Sequence, residues 1–217
     1  MAEKKIPLFM SGVDKRQMVK VPAGTFQYGP QLDEKETKEF YIDRYLVTQE
    51  DFKKFIEATG HRDPANWHGH TYPEGKGNHP VVEVNWDDAS DYAKWAGKRL
   101  PTNEEWEKAA RGTDGRTWPW GDDWDIKKCN VFSGGTTPVG NYSPSGDSPY
   151  GAADMAGNVW EWIDPGTPSK LRAPLRGGNW LDGPDEAMTT HIRMHTPHRK
   201  NPFVGFRCVA DEASPLE

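Results

Sequence analysis

The chain is short of cysteine, of aliphatic bulk and of positive charge. Cys129 and Cys208 are the only thiols in 217 residues. That allows one bridge and excludes a disulfide framework, so nothing in the thiol content demands an oxidising compartment. Hydrophobic residues make up 35% of the chain, and no apolar run approaches the roughly 18 residues a membrane span requires. The apolar part of the stretch from Met1 to Met10 is too short to read as a secretory signal; the chain reads as cytoplasmic as expressed, with its native location left open. Lys and Arg number 27 against 33 Asp and Glu, a formal net charge of −6. Nucleic-acid binding needs a concentrated basic surface, whereas the basic group Arg193, His198, Arg199 and Lys200 is local. Phosphate loops, nucleophile–base pairs and paired-carboxylate motifs do not stand out either.

What the chain has is aromatic: 10 Trp, 7 Tyr and 8 Phe. These bury much area per residue and make a core feasible despite the low apolar count. With 22 Gly and 18 Pro, much irregular backbone is expected over long regular elements. The length suits one domain. Residues 1–17 read as a flexible lead-in, 18–211 as the domain and 212–217 as a tail.

Three helices are predicted. Thr48, with Asp51 three residues on, caps a helix to about residue 58 that buries Phe52, Phe55 and Ile56 and stops at Gly60. Asp87 is taken as the cap of a second, 88–96. Thr102 and Glu105 form a capping box for a third, to about residue 111, burying Trp106, Ala109 and Ala110. Residues 18–29 read as a first hairpin turning at Pro22 and Gly24, residues 31–38 as a charged loop, and 40–47 and 80–84 as strands. The histidines at 61, 68, 70 and 79 lack zinc-motif spacing and read as solvated loop residues. From 112 onward the regular period ends. The stretch keeps Trp118, Trp120, Trp124, Phe132, Tyr142 and Tyr150 as anchors, so it reads as packed loop.

The last fifth alternates. In residues 190–195 (THIRMH) a period of two puts Ile192 and Met194 on one face and His191, Arg193 and His195 on the other. The expectation is that Ile192 and Met194 face the core while the polar set is displayed. In a strand His191 and His195 lie roughly 13 Å apart, too far to share one metal ion.

Seven motifs occur in order: VPAGTF (21–26), WAGKRLPT (95–102), EEWE (104–107), WPWG (118–121), MAGNVWEW (155–162), RGGNW (176–180) and GFRC (205–208). Each is weak alone. Together they resemble the formylglycine-generating enzyme family, the sulfatase-modifying-factor domain, over almost the whole chain. The resemblance implies an α+β, C-type-lectin-like fold of small twisted antiparallel sheets, few helices and much ordered loop. It implies calcium bound by Asn158 and Glu161, with Asn130 at a second calcium position.

The family's oxidases bind copper(I) through two cysteines between RGG-S-W and GFR. Here that interval has none, and Asp182 occupies the neighbourhood of the first. Soft thiolates are what copper(I) needs, so copper and formylglycine generation are not expected. Other branches named by the resemblance are sulfoxide synthases, variable proteins of diversity-generating retroelements, and accessory binding domains. The expectation is therefore a monomeric binding protein, holding a protein or small-molecule ligand on the surface between RGGNW and VGFR. The candidate residues are Trp180, Asp182, Asp185, His191, Arg193, His195, His198 and Phe203. The alternative is a metal-dependent oxidoreductase of the sulfatase-modifying-factor type.

Overall fold

In the computed structural model, residues 6–166 and 171–216 are described. The element order is β1 (Leu8–Ser11), β2 (Arg16–Val21), β3 (Gly24–Tyr28), β4 (Asp33–Thr37), β5 (Phe40–Asp43), α1 (Gln49–Thr59), α2 (Trp86–Trp95) and α3 (Asn103–Arg111). After a long loop region with one 3-10 turn come β6 (Trp160–Trp162), β7 (Ala173–Arg176), β8 (Arg193–His195), β9 (Val204–Gly205), β10 (Val209–Ala210) and β11 (Ser214–Pro215). A five-stranded antiparallel sheet has the order β10-β5-β2-β1-β11. β3 and β4 form a separate ribbon, and β8-β7-β6-β9 a second sheet in which only β6 and β9 run parallel.

The strand layout differs from the sequence expectation in two places. The segments set aside as lead-in and tail contain β1 and β11, which pair with each other through Phe9–Pro215 and Met10–Ser214. Residues 1–5 lie outside the described residues. Secondly, residues 18–29 do not make a hairpin. β2 pairs with β1 and β5, while β3 pairs with β4, which is the segment read as a charged loop. Short-range turn chemistry at Pro22 and Gly24 cannot reveal that the two arms diverge into different sheets.

The helices follow their caps. Thr48 Oγ1 accepts from the Asp51 N–H at 3.1 Å, and Asp51 Oδ2 accepts from the Thr48 N–H at 3.2 Å. Gly60, at φ 71°, ends α1 in the left-handed conformation. α3 begins with the expected box of Thr102 and Glu105. α2 starts earlier than expected. Asn85 is its cap, with its side chain accepting from the Asp88 N–H at 2.9 Å and Asp88 closing back on the Asn85 N–H at 3.0 Å. Asn and Asp are nearly equal as caps, so Asn85 and Asp87 could not be separated from sequence.

The main core packs α1 and α2 against the second sheet through Phe52, Phe55, Tyr92, Trp160, Trp162 and Phe206. A second core seats Trp106 of α3 under β2 and β5. Two arginines are buried completely in this aromatic interior. Arg176 donates to Glu107 Oε2 at 2.8 Å and to the carbonyls of Thr189 and Asn103. Arg207 donates to both Glu161 oxygens, at 2.7 and 3.0 Å, and to the carbonyls of Asp43, Arg44 and Ala153.

Asp154 lies beside this second arginine. It is buried, takes φ 56°, and accepts the Gly140 N–H at 2.6 Å. Burial pushes its carboxyl up to about 6, opposed by the Gly140 N–H and by Arg207 and reinforced by Asp147 and Glu161. A carboxyl that titrates higher in the folded chain favours folding while protonated. That stabilisation is complete below the unfolded value of 3.8 and is lost as pH rises through about 6. Asp154→Asn keeps an acceptor and tolerates the left-handed backbone. It should raise the melting temperature at pH 7.5, by an effect on the order of 2 kcal/mol, and change it little at pH 4, as read by paired thermal melts.

Candidate ligand-binding cavity

After β7 the chain must turn sharply against two packed neighbours. At Gly177 (φ 96°) a Cβ would lie 3.2 Å from the Trp106 ring, and at Gly178 (φ 74°) 3.0 Å from the Glu186 carbonyl oxygen. Both positions therefore need glycine. Asn179 then builds a tight turn. Its Oδ1 accepts the Leu181 N–H at 2.7 Å, while its Nδ2 and backbone N–H donate to Asp182 Oδ2 at 2.6 and 3.1 Å. The turn delivers Leu181 and Asp182 to the mouth of a cavity of about 300 Å³.

The buried side of this cavity is Trp160, Leu175 and Val204, each 1% exposed. Its polar lining is Asn179, Asp182, Arg193, His195 and Asn201, and Leu181 and Phe203 complete it. Phe203 packs against Trp180 with ring centroids 5.3 Å apart. Burial raises the Asp182 carboxyl above the usual carboxylate range, with the Asn179 backbone N–H and Arg193 pulling the other way. A larger groove of about 630 Å³ runs beside β4 and α3. Its Arg99 is already paired with Glu105 and Asp211, so that groove offers little unspent chemistry.

Of the eight sequence candidates, the structure brings Asp182, Arg193, His195 and Phe203 into the cavity. Trp180 is half-buried behind Phe203. Asp185 is exposed outside the cavity, and His198 lies 3.8 Å from Asp87 on the surface. His191 lies tilted against the Trp160 ring, with centroids 5.7 Å apart, without lining the cavity. Trp160, Asn179 and Asn201 were missed. The first two sit in motifs that look structural, and Asn201 lies in an unpatterned loop.

The face assignment of residues 190–195 does not hold. Ile192 and Met194 are 41% and 47% exposed and do not reach the core; Arg193 is exposed too, while His191 and His195 are half-buried. Arg193 lies over Trp160 at 5.7 Å, and His195 meets Trp162 edge-on at 5.7 Å. The reason lies two strands away in the same sheet, where β6 presents a pair of indoles. Ring faces accept guanidinium and imidazole as readily as methyl groups, so apolar-inward alternation does not hold beside them.

The calcium residues have other partners. Glu161 is fully buried and both its oxygens are engaged by Arg207, which takes it out of a calcium site. Asn158 Oδ1 accepts from Asn130 Nδ2 at 3.2 Å and from the Thr137 N–H at 3.1 Å, and Asn130 Oδ1 accepts from Ser133 at 2.7 Å. These are amide oxygens already saturated by donors, with no carboxylate among them, and they do not fit a calcium ion. Copper has no seat either. Cys129 and Cys208 are free and buried in different clusters. Burial pushes the Cys129 thiol up to about 12 and raises Cys208 as well, so neither offers a thiolate.

Three helices, small antiparallel sheets and long packed loops around this cavity make a C-type-lectin-like domain. Residues 8–212 match the sulfatase-modifying factor enzyme 1-like domain, and the chain belongs to that family. It is 32% identical to a formylglycine-generating enzyme of Thermomonospora curvata, covering 89% of this chain and 93% of the relative. It is 30% identical to the "inactive C-alpha-formylglycine-generating enzyme 2" of Bos taurus, covering 91% and 89%. Among solved structures, Treponema denticola variable protein 1 superposes with a TM-score of 0.73 over 90% of this chain and 95% of that one. At 20% identity, this is a likeness of fold.

Two outcomes follow from these contacts. Ile192→Ala should change stability by less than about 0.5 kcal/mol in denaturant unfolding, because the side chain is exposed. A loss of 2 kcal/mol or more would restore the opposite register. Thermal melts in a chelator and in millimolar calcium should coincide; a rise in melting temperature with calcium would show that an ion displaces the Asn130–Asn158 bonds.

Proposed function

We propose that this chain is a non-catalytic binding member of its family, and that the cavity between RGGNW and VGFR is where its small-molecule or protein ligand sits. The observation that carries this reading is the cavity itself. It joins a buried aromatic and aliphatic wall to convergent polar groups, the usual composition of a ligand pocket, in an interval with no thiol. Support also comes from a relative whose name marks it inactive. The oxidoreductase alternative would need a new metal-ligand set, and among the described residues no three His, Cys, Asp or Glu side chains gather to form one. No described helix is long and apolar enough to cross a membrane.

The test is amide and indole NMR of the labelled protein against a mixed set of neutral, acidic and basic fragments. Shifts should cluster on Trp160, Asn179, Asp182, Arg193, Asn201 and Phe203. Shifts confined to another surface, or none, would overturn the reading. So would formylglycine appearing in a cysteine-containing sulfatase peptide incubated with the protein, copper and oxygen.

A further inference from the structure

The polar lining of the cavity holds two charged groups whose bonding capacity is unspent. Arg193 is exposed and rests on the Trp160 ring, and among the described residues no carboxylate lies within ion-pair distance of its guanidinium. Asp182 uses Oδ2 to accept both Asn179 donors. The buried Trp160 indole N–H is directed at the same carboxylate, which keeps acceptor capacity toward the cavity that it lines.

An unpaired cation and a carboxylate with acceptor capacity left on one cavity call for a ligand that carries both charges close together. We infer that the cavity takes a small apolar α-amino acid. Arg193 receives its carboxylate, Asp182 its ammonium group, and Leu175, Val204 and Phe203 its side chain. The inference rests on the reading of the cavity as the ligand seat and names what sits there.

Size and charge narrow the class. About 300 Å³ is at the lower end for a ligand pocket, so a nucleotide or a folded epitope does not enter it. A phosphate dianion would meet one free guanidinium and, beside it, the Asp182 carboxylate, which repels a second negative charge. A purely apolar ligand would cover the Asp182 carboxylate without offering it a donor, which is unfavourable. A planar carboxylate matches the guanidinium edge left free by the stacking of Arg193 on the indole.

The experiment compares L-phenylalanine, L-phenylalaninamide and 3-phenylpropanoate by NMR titration of the labelled full chain, following the Trp160 indole resonance. L-leucine serves as a second side chain. Phenylalanine should bind at least about tenfold more tightly than either analogue. Arg193→Gln should remove the preference for acid over amide, and Asp182→Asn the preference for amino acid over phenylpropanoate. Both substitutions lie at the cavity mouth, and a dispersed amide spectrum shows that the variants fold. The inference is overturned if the amide binds the native protein as well as the acid does, or if Arg193→Gln keeps the preference. Should neutral fragments occupy the cavity while neither amino acid does, the inference falls and the ligand seat stands. Should no fragment of any charge perturb the cavity, the seat falls with it.

Discussion

Everything near the cavity hangs on two arginines that have no access to water. Arg207 grips Glu161 with two hydrogen bonds and spends its remaining donors on carbonyls from two distant loops. Arg176 gives one hydrogen bond to Glu107 of α3 and its other donors to Asn103 and to the carbonyls of Thr189 and His191. Burying such charges is expensive, and each pair breaks even only because every donor finds an acceptor. Removing one partner would strand the other at a cost of about 3–5 kcal/mol. The gain is positional. β6, β7 and β9 are short strands of two to four residues, too few to hold a sheet rigid by themselves. The ion pairs tie them to α3 and to the residue 43–44 and 153–154 loops.

The same short sheet sets the chemistry of the cavity. β6 contributes Trp160 and Trp162, so the rings that β8 meets are two indoles. They take Arg193 and His195 as ring partners and leave Ile192 and Met194 to solvent. A cation is thereby held over an aromatic face at the edge of the cavity. The aromatic richness of the composition thus serves the site as well as the core.

Family membership does not decide the activity. The family match runs from residue 8 to 212, but the interval between RGGNW and VGFR holds no cysteine, with Asp182 in the neighbourhood where the resemblance places the first. The two remaining thiols are buried and protonated among hydrophobic neighbours. Asn130 and Asn158, the residues that the resemblance offered for calcium, hydrogen-bond one another in an amide cluster.

Local signals in the sequence determined the helix starts at Thr48 and Thr102, the stop at Gly60, the glycine turn at 177–178 and the lack of a thiolate pair. Each depends on neighbours a few residues away, so a single sequence suffices. The pairing of β1 with β11, the parting of β2 from β3, and the capture of Glu161 by Arg207 join residues 46 or more positions apart, or send adjacent ones to different sheets. The ring contacts of Arg193 and His195 belong with these, because the partners of a strand's face are set by the neighbouring strands. Alternation in residues 190–195 specified two faces; only the tryptophans of β6, some thirty residues earlier, decided that the apolar one would not reach the core.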